Sequence, residues 1–174
     1  MRDAVAAWLT GAKRVADLFA GVGALTLGRP WRTTLFEGDK AAVAAAVKLG
    51  AVRRDLFRNP LLAADFKPFD AVVFDELTKL KNPSGKRFKA IEKLLKPVDI
   101  RWGLTGSFTS NGLEDVFGQC KIIDQKLLGR AKGAFMQQYF LLSTYGGYDE
   151  WAPRQGSLEQ VMQRIKPATY VLED

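Results

Sequence analysis

Hydrophobic and polar positions alternate along this chain in blocks that change period. Val5, Trp8 and Leu9 recur at helical spacing within Arg2–Thr10, and Gly11 closes that segment. Arg14–Phe19 then reads as a first strand, Thr33–Glu37 as a second, Ala51–Asp55 as a third, Phe69–Asp75 as a fourth and Ile100–Thr105 as a fifth. The fourth is the most apolar, a continuous run of the kind found in central parallel strands. Helix-length segments separate them: Ala20-Gly-Val-Gly23 with the apolar residues after it, Lys40–Leu49 closed by Gly50, and a helix from about Ser84 to Pro97. That rhythm predicts right-handed crossovers and one doubly wound, three-layer α/β/α domain, Rossmann-like or RecA-like, over residues 1–174. Its mainly parallel sheet is expected in an order near 3-2-1-4-5.

The later part predicts a helix from Leu113, with Val116, Phe117 and Cys120 on one buried face, preceded by a polar turn, 106–111, able to cap it. A helix over 130–140 and a long loop from Ser143 to Gly156, populated by Tyr145, Tyr148, Trp151 and Arg154, follow. Ser157-Leu-Glu-Gln160 reads as a capping box opening a helix that Pro167 ends, and Ala168–Leu172 as a last strand.

Composition narrows the chemistry. The 174 residues include no histidine and one cysteine, which excludes an internal disulfide, Cys-based metal sites and Ser-His catalysis. No run is long and apolar enough to span a membrane, so the expected compartment is the cytoplasm. A net charge of +7 favours a polyanionic partner, DNA or RNA. The densest basic stretch is 79–101, and Lys79, Lys81, Lys86, Arg87, Lys89, Lys93 and Arg101 are its candidate nucleic-acid contacts. On the helix in that stretch, Phe88, Ile91, Leu94 and Leu95 form the apolar stripe and the lysines take the rest of the circumference.

Two regions carry candidate ligand chemistry. A glycine-rich turn after the first strand lets backbone approach a ligand, and Glu37 ends the second strand twenty residues after Asp17, a spacing suited to holding ribose hydroxyls. Asp75 and Glu76 end the fourth strand, where open α/β sheets gather their ligands.

Val15-Ala-Asp-Leu-Phe-Ala-Gly-Val-Gly23, Leu35-Phe-Glu-Gly-Asp39, Arg54-Asp-Leu-Phe-Arg58 and Phe69–Asp75 resemble class I S-adenosylmethionine-dependent methyltransferases, their RNA 5-methyluridine branch above all, over about residues 13–75. The resemblance implies S-adenosylmethionine as cofactor, with Asp17, Gly21 and Gly23 at its methionine end, Glu37 on its ribose and Asp55 near adenine. That family's fourth strand ends in Asp-Pro-Pro; here Glu76-Leu-Thr78 follows Asp75.

Residues 70–174 resemble the first motor domain of phage Snf-type superfamily-two helicases, through Val73-Phe-Asp-Glu-Leu-Thr-Lys-Leu-Lys-Asn-Pro-Ser84, Trp102-Gly-Leu-Thr-Gly-Ser107 and Asn111-Gly-Leu-Glu-Asp-Val-Phe117. That resemblance makes Asp75 and Glu76 the catalytic pair for ATP hydrolysis. The phosphate-cradling loop is missing, since Gly85-Lys86 is followed by Arg87, so ATP with magnesium is not expected. The pattern is a hybrid with its seam in the fourth strand, and a natural fusion, a recombined phage gene or an assembled chimera would each produce it. The leading expectation is a helicase-derived, nucleic-acid-associated domain without ATPase activity of its own. The alternatives are an S-adenosylmethionine-binding, methyltransferase-like protein acting on nucleic acid, and a folded hybrid without activity.

Overall fold

A computed structural model of the chain describes residues 1–21, 23–49, 69–109, 111–145 and 148–171. They divide into two compact units: Met1–Lys79 with Ser84–Gly106, and Leu80–Pro83 with the residues from Ser107 onward.

The first unit is built on four parallel strands, β1 (Arg14–Leu18), β2 (Arg32–Phe36), β3 (Ala71–Phe74) and β4 (Ile100–Gly103), in the order β2-β1-β3-β4. This is the order of the second, first, fourth and fifth expected strands. The third, Ala51–Asp55, lies outside the described residues, and Asp55 with it. Among the described residues, three helices accompany the sheet: α1 (Arg2–Trp8), α2 (Lys40–Lys48) and α3 (Lys86–Leu94). The winding reverses between β1 and β3, so the chain is a doubly wound α/β fold whose switch point lies at the carboxyl ends of those two strands.

Side-chain alternation sorts the residues onto faces. Val15, Ala71 and Val73 pack with Val5 of α1, with Leu9 just after it and with Trp31, while Trp8 stacks on Trp102 with ring centroids 4.4 Å apart. Leu35 meets Ala20 and Ala46 of α2 in a smaller cluster. At the strands' entry, the Asp70 carboxylate accepts the Lys13 and Arg14 amides at 2.9 and 2.8 Å, tying β1 to β3. Those two amides, its main influences, hold the Asp70 carboxyl below its usual range. Asp39 caps α2, its side chain accepting from the Ala42 amide at 2.8 Å.

One expected helix is absent. After Gly23 the chain makes a single helical turn, with the Leu27 amide bonded to the Gly23 carbonyl, and Gly28 then takes a φ of 70°. Only eight residues separate Gly23 from β2, and they include Gly28 and Pro30, which end a helix as soon as it starts.

The second unit holds helices α4 (Asp115–Ile123), α5 (Gln125–Leu128), α6 (Lys132–Tyr139) and α7 (Ser157–Ile165), and strands β5 (Phe140–Tyr145) and β6 (Tyr148–Pro153). Its core gathers Val116, Phe117, Cys120, Phe135, Phe140, Val161 and Ile165. Gly118 on α4 is a packing glycine: a Cβ there would lie 2.1 Å from the Lys81 carbonyl oxygen, so the helix presses on backbone at this point.

Three expectations fail here. The long loop of 143–156 is largely an antiparallel hairpin, with Leu142 opposite Trp151 and Tyr145 opposite Tyr148. Its sequence sign was the glycine pair at 146–147 between two strand-forming runs. Ser157 does not cap α7. Gly156, at φ 78°, is the cap residue, and the buried Ser157 hydroxyl donates to the Tyr139 carbonyl at 2.7 Å. The last strand is replaced by a 3₁₀ turn, Lys166–Ala168, with no regular structure over 169–171; Leu172 lies outside the described residues.

Candidate functional site

The strand register brings the candidate carboxylates together. Asp17 pairs with Leu35 on β2 and Val73 on β3, so Glu37 and Asp75 stand two residues further along the neighbouring strands, on the face of the sheet that carries Asp17. All three lie at the switch point, where the Phe19 amide bonds to the Phe36 carbonyl and the Asp75 amide to the Leu18 carbonyl.

The turn that follows β1 is held in the left-handed region at three residues, Phe19 (φ 63°), Gly21 (55°) and Gly23 (77°). Only glycine adopts that region without strain. The Gly21 amide donates to Glu37 Oε2 at 2.9 Å, and the Gly38 and Asp39 amides donate to Oε1 at 2.6 and 2.8 Å. Partial burial works to raise the Glu37 carboxyl. The Asp39, Gly21 and Gly38 amides, with Lys79, outweigh it and hold the group below the usual carboxylate range.

Asp17 is fully buried, with 0% of its surface exposed. The Thr26 hydroxyl donates to Oδ2 at 2.6 Å, and Oδ1 has no hydrogen-bond partner among the described residues. Burial pushes its carboxyl up to about 7, against the Thr26 hydrogen bond, and the charges of Asp75 and Glu37 add to the rise. Asp75 is half-buried. Burial first, and Glu76 next, lift its carboxyl above the usual range; Lys79 pulls it back in part and Glu37 adds to the lift. Glu76 accepts a hydrogen bond from the Thr78 hydroxyl.

Sequence reasoning missed Phe19, Thr26 and the cationic cover over the turn. Lys79 Nζ lies 4.9 Å from the Phe19 ring centroid and Arg87 Cζ 5.9 Å from it. A hydroxyl nine residues after a strand acid carries no motif of its own, so Thr26 had no sequence signal.

The expected basic face breaks up. Lys81 belongs to the second unit, where its ammonium meets the Asp115 carboxylate at 2.9 Å. Arg101 is turned inward, its guanidinium donating at 2.9 Å to the Val98 and Leu95 carbonyls beyond the end of α3. Lys79 and Arg87 lie over Phe19. Lys86, Lys89 and Lys93, at steps of three and four residues, remain as an exposed stripe opposite the buried Phe88, Ile91 and Leu95.

Cys120 is buried, and burial pushes its thiol up to about 12, which leaves almost no thiolate at neutral pH. Among the described residues no three His, Cys, Asp or Glu side chains converge as a metal site. No described helix is long and apolar enough to cross a membrane.

Fold and site together define a doubly wound α/β protein with an acidic, glycine-lined switch point. The chain is similar to a protein of Rhizobium meliloti (strain 1021) named as an uncharacterised RNA methyltransferase, 46% identical over 87 residues, a match spanning 43% of this chain and 21% of that protein. A protein of Brucella melitensis with the same description is 41% identical over 87 residues. A protein called p41 from Acyrthosiphon pisum secondary endosymbiont phage 1 is 38% identical over 85 residues, covering 45% of this chain and 18% of p41. The match thus takes in about a fifth of the length of these relatives. No family model matches. Among solved structures, the Sulfolobus solfataricus SWI2/SNF2 ATPase core in complex with dsDNA has the same fold, with a TM-score of 0.54 and 18% identity over 89% of this chain and 32% of that one.

Proposed function

We propose that the first unit is an S-adenosylmethionine-binding fold of the methyltransferase kind, associated with nucleic acid. The observation that carries this reading is the Gly21–Glu37 hydrogen bond. It joins the glycine turn to the acid that follows β2, at the switch point of a doubly wound sheet. The RNA methyltransferase relatives support it, and they put this reading ahead of the helicase-derived one that the longer motif match favoured.

The residues present fit such a cofactor. Glu37 is a carboxylate kept below its usual range beside a bend that only glycine makes comfortably, and a Cβ on Gly21 would meet no described atom within 4 Å. Glu37 would hold the ribose hydroxyls, exchanging some of its amide contacts for them, while Gly21 and Gly23 would let the turn close on the methionine end. Asp17, fully buried, would act on that end through its charge rather than by touching it. S-adenosylmethionine, when bound, supplies an electrophilic methyl group. The residues after Asp75 are Glu76, Leu77 and Thr78, and Cys120 is buried as a thiol, so cofactor binding without methyl transfer is the expected behaviour of this chain.

The hybrid reading keeps residues 76–174 as helicase-derived, on the strength of their motifs. Its nucleic-acid contact is narrowed to Lys86, Lys89 and Lys93, with Arg87 beside them.

Calorimetry with S-adenosylmethionine and S-adenosylhomocysteine tests the reading. Binding is expected, and Glu37→Ala should weaken it about tenfold or more, since each hydrogen bond to a charged carboxylate contributes about 1.5–3 kcal/mol. No heat of binding at millimolar ligand would sink it.

A further inference from the structure

Phe19 is the one described residue other than glycine with a positive φ, 63°, and it stands directly after β1, two residues before the amide that Gly21 donates to Glu37. A bulky residue enters that region against a factor of about five- to thirtyfold in its conformational equilibrium, so something must hold it there. Phe19 is only 8% exposed, and two cations cover its ring: Lys79 Nζ lies 4.9 Å and Arg87 Cζ 5.9 Å from the centroid. One such contact near the surface contributes about two- to fivefold, so the pair together matches the strain. Lys79 belongs to the 3₁₀ turn Leu77–Leu80, just beyond Asp75 and Glu76, and Arg87 to the first turn of α3. Ring and cations also come from different parts of the sequence, Phe19 from the stretch that resembles methyltransferases and both cations from the stretch that resembles helicases. One side chain thus ties the glycine turn to the basic helix.

We propose, resting on the cofactor reading above and its nucleic-acid contact, that Phe19 is a positioning residue for the cofactor turn, held by Lys79 and Arg87, and that nucleic acid bound along α3 loosens this hold by drawing Arg87 onto a phosphate. Arg87 is exposed and sits between the exposed Lys86 and Lys89, so a phosphate attracted to the stripe arrives at the guanidinium that covers the ring. Charge-assisted hydrogen bonds from a guanidinium to phosphate oxygens are stronger than a contact 5.9 Å from a ring centroid, and the phosphate therefore wins it. Lys79 stays, because it is closer to the ring and its charge is also held by Glu37 and Asp75. With one cation left of two, the strained backbone at Phe19 relaxes more often, and the Gly21–Glu37 hydrogen bond opens with it. Cofactor and nucleic acid then oppose each other, and by thermodynamic necessity they do so reciprocally.

Titration calorimetry of the full chain with S-adenosylhomocysteine, alone and with a saturating mixed-sequence DNA duplex at low salt, reads this linkage. The duplex should weaken S-adenosylhomocysteine binding about two- to fivefold, and S-adenosylhomocysteine should weaken duplex binding by the same factor. Phe19→Leu keeps apolar bulk without a π face. It should weaken S-adenosylhomocysteine binding and abolish the linkage at unchanged duplex affinity, and Phe19→Tyr, which restores the π face, should restore both. Arg87→Ala and Lys89→Ala each remove one phosphate contact and should lower the salt slope by about 0.9, yet only Arg87→Ala should remove the linkage. Both side chains are exposed, so this pair carries the test if Phe19→Leu fails to fold. Affinity for S-adenosylhomocysteine that is unchanged or tighter with duplex present, or a linkage that survives Arg87→Ala or is lost in Lys89→Ala, overturns the proposal and leaves the cofactor reading standing. A duplex that does not bind overturns it in the same way, whereas failure of S-adenosylhomocysteine to bind without duplex removes both.

Discussion

Gly23 faces Leu35 so closely that a Cβ on the glycine would stand 2.6 Å from Leu35 Cδ1, with Leu27 Cδ1 at 2.7 Å on another side. Gly21, two residues earlier in the same bend, has nothing within 4 Å of that position. The two glycines therefore do different work. Gly23→Ala combines a strained φ with overpacking and should cost about 2–4 kcal/mol of stability, whereas Gly21→Ala, strained alone, should cost about 1–2 kcal/mol. Urea unfolding of both variants checks the order, and equal losses would mean that the turn relaxes away from Leu35.

The buried Asp17 should make the fold less stable as pH rises. Burial pushes its carboxyl from the ordinary 3.8 up to about 7, so the folded state holds the proton more tightly. The cost is absent below about pH 4, grows between there and pH 7, and is complete above. At 1.36 kcal/mol per pKa unit it reaches about 4 kcal/mol at most. Asp17→Asn should therefore stabilise the protein relative to the parent at pH 8 by more than at pH 5. Denaturant midpoints at the two pH values measure this, and a pH-independent difference would refute it.

Nucleic acid should bind through α3 by charge alone. Four phosphate contacts, from Lys86, Arg87, Lys89 and Lys93, predict a slope of about −3.6 for log affinity against log salt on duplex DNA. Reversing Lys86, Lys89 and Lys93 to Glu should abolish binding and preserve the fold, because all three are exposed. Arg101→Ala is the contrasting variant. It removes hydrogen bonds to the Leu95 and Val98 carbonyls, so stability should drop by about 1–3 kcal/mol with the salt slope unchanged. Salt-insensitive binding would show the stripe to be only a solvated surface.

ATP turnover above background is not expected, with or without DNA. Asp75 and Glu76 can serve phosphate chemistry only where backbone amides cradle the triphosphate opposite them, and the sequence lacks the loop that would do so. A phosphate-release assay decides the point, and hydrolysis that Glu76→Gln eliminates would prove the expectation wrong.

Much of this molecule was legible from residue order alone. The residue pattern placed β1, β2, β3 and β4 to within a residue or two, most plainly for β3, where a parallel strand buried throughout leaves few alternatives to Ala, Val and Phe. Gly21 and Glu37 were legible for a similar reason: a turn at positive φ admits little but glycine, and an acid at a strand end follows from spacing.

What the sequence could not carry were properties of neighbours distant in the chain. The dispersal of the basic face is one case. Lys81 and Arg101 look like Lys86 and Lys89 in composition, and only packing decides that one meets Asp115 and the other the carbonyls of Leu95 and Val98. Asp17 is the sharpest instance. Its position at a strand end followed from the order of residues, but its proton affinity follows from Thr26, Glu37 and Asp75 and from the exclusion of water, and those act on it only once three strands lie side by side.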